Sequence, residues 1–372
     1  MIIFSDSETL FLDLLRAGLW ERHVDSRFFL QADWESILTI ASQQTMTGIV
    51  GDAMMSLPKD IIPKQWRMKV IRRMMEIEDA NLNMNKFLPI LFRRIHRQGW
   101  NVWLLKGQGV GSCYPNPLRR QSGDIDVYFL SEEEFHEACS FFKKYLPPKD
   151  IRSVNDETMD FEFTVKKLYV ELHGSIVTEL NRTCKKNFKI WEKRIITDHK
   201  LISPMLNDGV TLPPYQFDAI FIFLHTVRHY FGGGIGLRQV SDWMRYLYSY
   251  YDCLDLKQLI ADIQLLGLEK IWRVFGCMAV SYLGYPKDKM PLYENMYREE
   301  GKTVLRFILN SGNFGRYDPS IKSSSSIYLL RKWKAFTGHM RMKFRNFQIF
   351  PEESVYGIPG FVVDGLKRTF QR

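Results

Sequence analysis

Asp124 and Asp126 stand two residues apart, with Ile125 between them and Val127 after. The run Ser-Gly-Asp-Ile-Asp-Val-Tyr-Phe over 122–129 predicts a β-strand. A period of two puts both carboxylates on one face and Ile125 and Val127 on the other. Polar groups in an otherwise apolar strand are costly to bury unless they meet cations. At this spacing two aspartates can clamp one or two Mg²⁺ ions, which commonly also hold substrate phosphates. A solvated surface strand carries the same pattern, so the pair gains meaning only from its neighbours.

Those neighbours are informative. Residues 101–107 read as a short apolar strand ending at Gly107, and 108–114 add two glycines and a serine before a turn at Pro115-Asn116-Pro117. A glycine at the bend lets backbone approach a phosphate, and N–H groups at a helix start favour anions. Lys106 adds a point charge, and Arg119 or Arg120 a guanidinium fork. Further on, 160–165 and 168–173 read as two strands joined by Lys166-Lys167, a predicted hairpin. Glu162 and Glu171 are both candidates for a third carboxylate, and Tyr169, Glu171 and His173 share a face.

This arrangement resembles the nucleotidyltransferase superfamily that includes DNA polymerase β. There a hydrophobic-Gly-(Gly/Ser) element precedes a strand with two acidic residues, and a third acid sits on a later strand. More closely, Leu105-Lys106-Gly107, Tyr114-Pro115, Arg120 and Gly123-Asp124-Ile125-Asp126 resemble the uncharacterised bacterial nucleotidyltransferase family. The likeness is strongest over 101–130. It extends loosely to about 250, through Val170-Glu171-Leu172-His173 and a histidine-bearing helix near 225. One departure is that Lys-Gly stands where the superfamily has Gly-Ser or Gly-Gly. Val110-Gly111-Ser112 is the competing assignment, and Lys106-Gly107 is preferred because it directly follows the strand.

The resemblance implies an α+β fold, a small mixed-sheet nucleotidyltransferase core flanked by N-terminal and C-terminal helical regions. It implies Asp124, Asp126 and Glu171 as catalytic metal ligands, with Glu162 the alternative third acid. Lys106, Gly107, Arg120, Ser122, Gly123, His173, His225 and His229 are the implied nucleotide-binding residues, with Arg228, Arg238 and Asp242 nearby. The implied reaction moves an NMP from an NTP, ATP among them, to an acceptor hydroxyl with two Mg²⁺ ions, Mn²⁺ being the alternative. A toxin-like enzyme acting on tRNA or protein, and a non-catalytic nucleotide or nucleic-acid binder, are the other readings.

Patterning divides the chain into a helical region 1–98, a core 99–205 and a second helical region 206–372. Helices are expected over 34–55 and 66–97. Ser131 and Glu134 have capping-box spacing ahead of another that runs to Tyr145. Later helices are expected at 216–230, 237–250, 255–265, 268–284 and 291–310, with a flexible joint at the serine run 323–326. His225 and His229 have the i, i+4 spacing of zinc ligands, but Thr226 follows where a zincin needs Glu, which argues against a metalloprotease.

Composition sets the outer bounds. With 45% hydrophobic and 25% charged residues, the chain is of the folded, water-soluble class. No apolar run approaches the roughly 18 residues of a membrane span, and the N-terminus lacks the pattern of a secretory signal. Five scattered cysteines without a Cys-x-x-Cys pair argue against a disulfide framework and suit the cytoplasm. A net charge of +9 suits a polyanionic partner or a triphosphate. Between 322 and 347, seven basic residues and no acid interleave with aromatics, a pattern shared by nucleic-acid stripes and solvated helix faces.

Overall fold

The structure, a computed structural model, describes residues 3–176, 180–198, 201–206, 209–317, 337, 340, 344 and 346–356. The basic stretch 322–347 therefore lies mostly outside the described residues, as does the serine run 323–326.

Four helices come first: α1 (Asp6–Trp20), α2 (Trp34–Gln43), α3 (Thr47–Met55) and α4 (Lys64–His96). Ser5 and Glu8 close a reciprocal capping box at the start of α1. The helical stretch expected over 34–55 is broken by Thr45, whose φ of 55° ends α2. The 33 residues of α4 span about 50 Å, long enough to reach from the helical layer across the back of the sheet.

The sheet strands are β1 (Val102–Leu105), β2 (Asp124–Phe129), β3 (Ile151–Asn155), β4 (Asp160–Val165) and β5 (Leu168–His173), in spatial order β1-β2-β5-β4-β3. Only β2 and β5 run parallel; the other pairs are antiparallel. The five-residue helix α5 (Gly107–Gly111) lies between β1 and β2, and α6 (Glu132–Tyr145) between β2 and β3. Ser131 caps α6 through the Glu134 N–H as its spacing predicts. The Glu134 carboxylate does not close the box; it accepts from the backbone and side chain of Asn101, pinning α6 to the start of β1. β3 was not anticipated: it is a largely exposed edge strand, so no apolar alternation marks it.

One sheet face is apolar. Ile125, Val127, Phe129, Phe161, Phe163, Val170 and Leu172 pack against Phe135, Ala138 and Phe142 of α6 and Leu88, Leu91, Phe92 and Ile95 of α4. The other face carries the polar residues and looks toward the C-terminal helices.

Those helices are α7 (Arg182–Thr197), α8 (Tyr215–Gly232), α9 (Leu237–Ser249), α10 (Leu256–Leu265), α11 (Glu269–Leu283), α12 (Arg298–Ser311) and α13 (Pro351–Tyr356). α12 starts later than the pattern at 291–310 suggests, after a 3₁₀ turn at Asn295–Tyr297. α7, also unanticipated, is mostly polar and shows a narrow buried stripe of Cys184, Phe188, Trp191 and Ile195. Helices from both ends share one core, in which Phe11, Leu15, Ile37 and Val50 join Phe223, Trp243, Trp272 and Ile308. Buried Gln44 stitches the ends together. Its Nε2 donates to the carbonyls of Ile308 and Leu309, and its Oε1 accepts from the Leu237 N–H that starts α9.

Candidate active site

The site is built on the polar face of the sheet. Parallel pairing sets Asp126 beside Glu171, and antiparallel pairing sets Glu171 beside Glu162 and His173 beside Asp160. The last two pairings follow from the hairpin. Lys166 and Lys167 both take positive φ, 48° and 71°, as a two-residue turn of the I′ kind requires. Such a turn pairs Val165 with Leu168 and so counts back to Asp160 and His173.

Asp126 is 2% exposed and is the electrostatic centre. Lys106 Nζ donates to its Oδ1 at 3.0 Å, and His173 Nε2 lies 3.1 Å from the same atom. Burial works against its charge, but these two partners hold its carboxyl far below the usual range. His173 also meets Asp160 Oδ1 through Nδ1 at 2.7 Å. Pinned between two carboxylates, it is pushed up to about 9 although burial pulls the other way. Both ring nitrogens then carry protons. Asp124 is raised, first by the neighbouring charge of Asp126 and then by burial. Glu171 is pushed up to about 7 by burial, with Asp126 and Asp124 adding to it.

Lys106 ends β1 with φ 51° and ψ −132°, backbone that an L-residue adopts at a cost of about 1–3 kcal/mol. Gly107 follows at φ 42°, and a Cβ there would sit 3.5 Å from the Asp124 carbonyl. This bend carries the lysine back over the aspartate strand. Ser112 is turned away and donates to the Gly109 carbonyl, so Lys106-Gly107 is the element that faces the acids.

Two adjoining cavities of about 240 and 270 Å³ open over this face, against α8 and α9. Lys106, Asp126, Glu171, His225 and His229 line both. The first continues along Asp160, Glu162, His173 and Arg228 to an apolar wall of Ile176, Phe221 and Leu224. The second continues along Gly107, Arg120, Gly123, Asp124, Arg238 and Asp242. Burial keeps both histidines neutral, His225 well below its ordinary range and His229 down to about 4.

Arg120 is anchored rather than free. Its Nε and Nη2 each donate to Asp242 at 2.7 Å, its Nη1 donates to Ser122 Oγ, and Tyr114 donates to the same Asp242. Ser122 thus serves Arg120 and lines neither cavity. Arg119 points elsewhere, pairing with Asp52 and Glu78. The residue that sequence reasoning missed is Asp160, the second anchor of His173; the hairpin register was the signal that could have found it.

Oxygen atoms of Asp126 and Glu171 and a ring nitrogen of His173 lie within 4.8 Å of one another, close enough to share a cation. No helix among the described residues is long and apolar enough to cross a membrane. The five cysteines are free thiols.

A mixed sheet with paired acids facing a lysine–glycine bend, flanked by helices, is an α+β nucleotidyltransferase core. The chain belongs to the family described as uncharacterised nucleotidyltransferase, which it matches over residues 31–284. No curated protein and no solved structure matches it.

Proposed function

We propose that this protein transfers a nucleoside monophosphate from a nucleoside triphosphate to an acceptor hydroxyl. The observation that carries the reading is the β2–β5 register, which sets Glu171 beside Asp126 on the face that Asp124 shares. Three carboxylates at the junction of two cavities suit a reaction between two substrates around a divalent cation.

The donor set fits such a cation. Asp126 and Glu171 offer oxygens within reach of each other. His173, protonated between Asp126 and Asp160, is better suited to orient Asp126 than to bind metal, so Asp124 is the third ligand of choice. An all-oxygen set suits Mg²⁺ most closely, with Mn²⁺ the alternative. Two such ions, when bound, neutralise phosphate charge and acidify an acceptor hydroxyl. Lys106 steadies Asp126 and is placed to meet phosphate oxygens as well. Gly107 and Gly123 leave backbone open along the second cavity. His225 and His229, neutral and half-buried, close the roof from α8.

Asp124→Ala is expected to abolish NTP turnover while leaving the circular dichroism spectrum and unfolding midpoint unchanged. An unaltered rate would overturn the reading. A net charge of +9 favours one second reading, in which the acceptor is tRNA. RNA that co-purifies with the protein and is lost on nuclease treatment would favour it; a preparation free of RNA would favour a small acceptor. Free thiols suit a reducing compartment, and we place the protein in the cytoplasm.

A further inference from the structure

We infer that Arg238 on α9 receives the terminal phosphates of the nucleotide and so makes the site selective for triphosphates over monophosphates. This rests on the nucleotidyltransferase reading above and adds to it which cavity takes the triphosphate tail and which residue decides.

The argument is a charge count along the second cavity. Its cations are Lys106, Arg120 and Arg238, and its anions Asp124, Asp126, Glu171 and Asp242. Arg120 is engaged through all three of its nitrogens, Nε and Nη2 on Asp242 and Nη1 on Ser122. Lys106 is engaged by Asp126. Arg238 is different. Among the described residues no hydrogen bond or ion pair is made to it, and its Nε is shielded from solvent without a partner. A guanidinium presents five donors in a planar fork that matches phosphate oxygens. Burying one without partners is costly, and a phosphate anion within the cavity would relieve that cost.

Its setting agrees. Arg238 lies in the first turn of α9, whose opening is held in place by the bond from Leu237 N–H to Gln44. Burial and the nearby Arg120 charge work against the Arg238 cation, Asp242 and Asp124 offset them in part, and an anionic ligand in the cavity would add to that offset. Across the cavity stand Gly107 and Gly123, where no side chain obstructs a polyphosphate. The first cavity differs: its arginine, Arg228, stands near Asp160, Glu162 also lines the space, and the wall of Ile176, Phe221 and Leu224 is apolar. The triphosphate tail therefore takes the Arg238 side, and the acceptor takes the other.

The test is calorimetric binding of non-hydrolysable NTP analogues and of the matching NMPs, for all four bases, with Mg²⁺ present. Wild-type protein is expected to bind its preferred NTP analogue more tightly than the NMP. Arg238→Gln is expected to weaken the NTP analogue roughly 10–100-fold, the loss of a charge-assisted contact, and to leave NMP binding within about twofold. Arg238→Lys, which keeps charge but not the fork, should fall between. Inorganic tripolyphosphate should displace the NTP analogue from wild-type protein, a readout that needs no variant to fold. An Arg238→Gln protein that keeps the NTP preference, or loses NTP and NMP alike, overturns the assignment while the nucleotidyltransferase reading stands. Wild-type protein that binds no nucleotide overturns both.

Discussion

The two ionic centres of the site behave differently. Asp126 sits between Lys106 and His173 and is charged although buried. The Arg120–Asp242 pair is almost fully buried and bidentate, with Tyr114 completing it. Removing one partner of such a pair leaves an uncompensated charge and typically costs about 3–5 kcal/mol. Asp242→Leu should therefore lower unfolding free energy by that amount in urea titrations, whereas Arg119→Ala, at a half-exposed network, should cost about 1 kcal/mol or less. Equal losses for the two would mean that Arg120 is not held by Asp242. At this scale much was readable in advance. The residue types at 106, 107, 124, 126 and 171 pointed to phosphate and metal chemistry, and the structure gathers them around one junction. The partner of Arg120 was not readable, because Asp242 lies 122 residues further along the chain.

Strand and hairpin geometry set the spacing of the acids. Period-two alternation put Asp124 and Asp126 on one face, and the Lys166-Lys167 turn counts off the pairing of Glu162 with Glu171. The parallel neighbour was not derivable this way. β2 and β5 are separated by a helix and two further strands, and their register comes from the apolar face seating on α4 and α6. β3 escaped detection because it buries little apolar surface, and α7 because its regular buried stripe of Cys184, Phe188, Trp191 and Ile195 is set in a mostly polar segment. Gln44 joins α9 to α12 and orients the turn that carries Arg238. Gln44→Leu would strand the Leu237 N–H and take a donor from the Leu309 carbonyl, while the Ile308 carbonyl keeps the Gly312 N–H. We expect a stability loss of about 2–3 kcal/mol, with affinity for the NTP analogue weakened and that for the NMP retained. Unchanged stability would show that α9 is held by packing alone.

The whole molecule couples the site to a helical shell that both chain ends build. Phe11 and Val50 share a core with Trp243 and Ile308, so the roof over the sheet is as much an N-terminal as a C-terminal structure. The family match covers only part of this shell, beginning before α2 and ending at the close of α11, so that Phe11 and Ile308 lie outside it. A pH signature follows from the roof. His225 and His229 titrate below the unfolded value of about 6.5, His229 near 4. Above 6.5 both states are neutral and the pair contributes nothing. As pH falls below that, the unfolded chain takes up protons that the fold refuses, and stability drops by up to about 1.4 kcal/mol per pH unit for each histidine. Glu171, raised to about 7, takes up its proton over the same range and opposes this fall, so the signature is a difference: in urea unfolding of metal-free protein between pH 7 and 5, wild type should lose stability relative to a His225→Gln, His229→Gln double variant. Matching slopes would assign the acid sensitivity to other groups. What the sequence determined by itself was local: strand periodicity, the lysine–glycine bend, the hairpin count and the residue types of the candidate site. Each rests on backbone geometry within a few residues. What only the tertiary structure decided was which charges are already satisfied. Arg119, Arg120 and Arg238 look alike in the chain, and long-range packing pairs the first two and leaves the third facing the cavity.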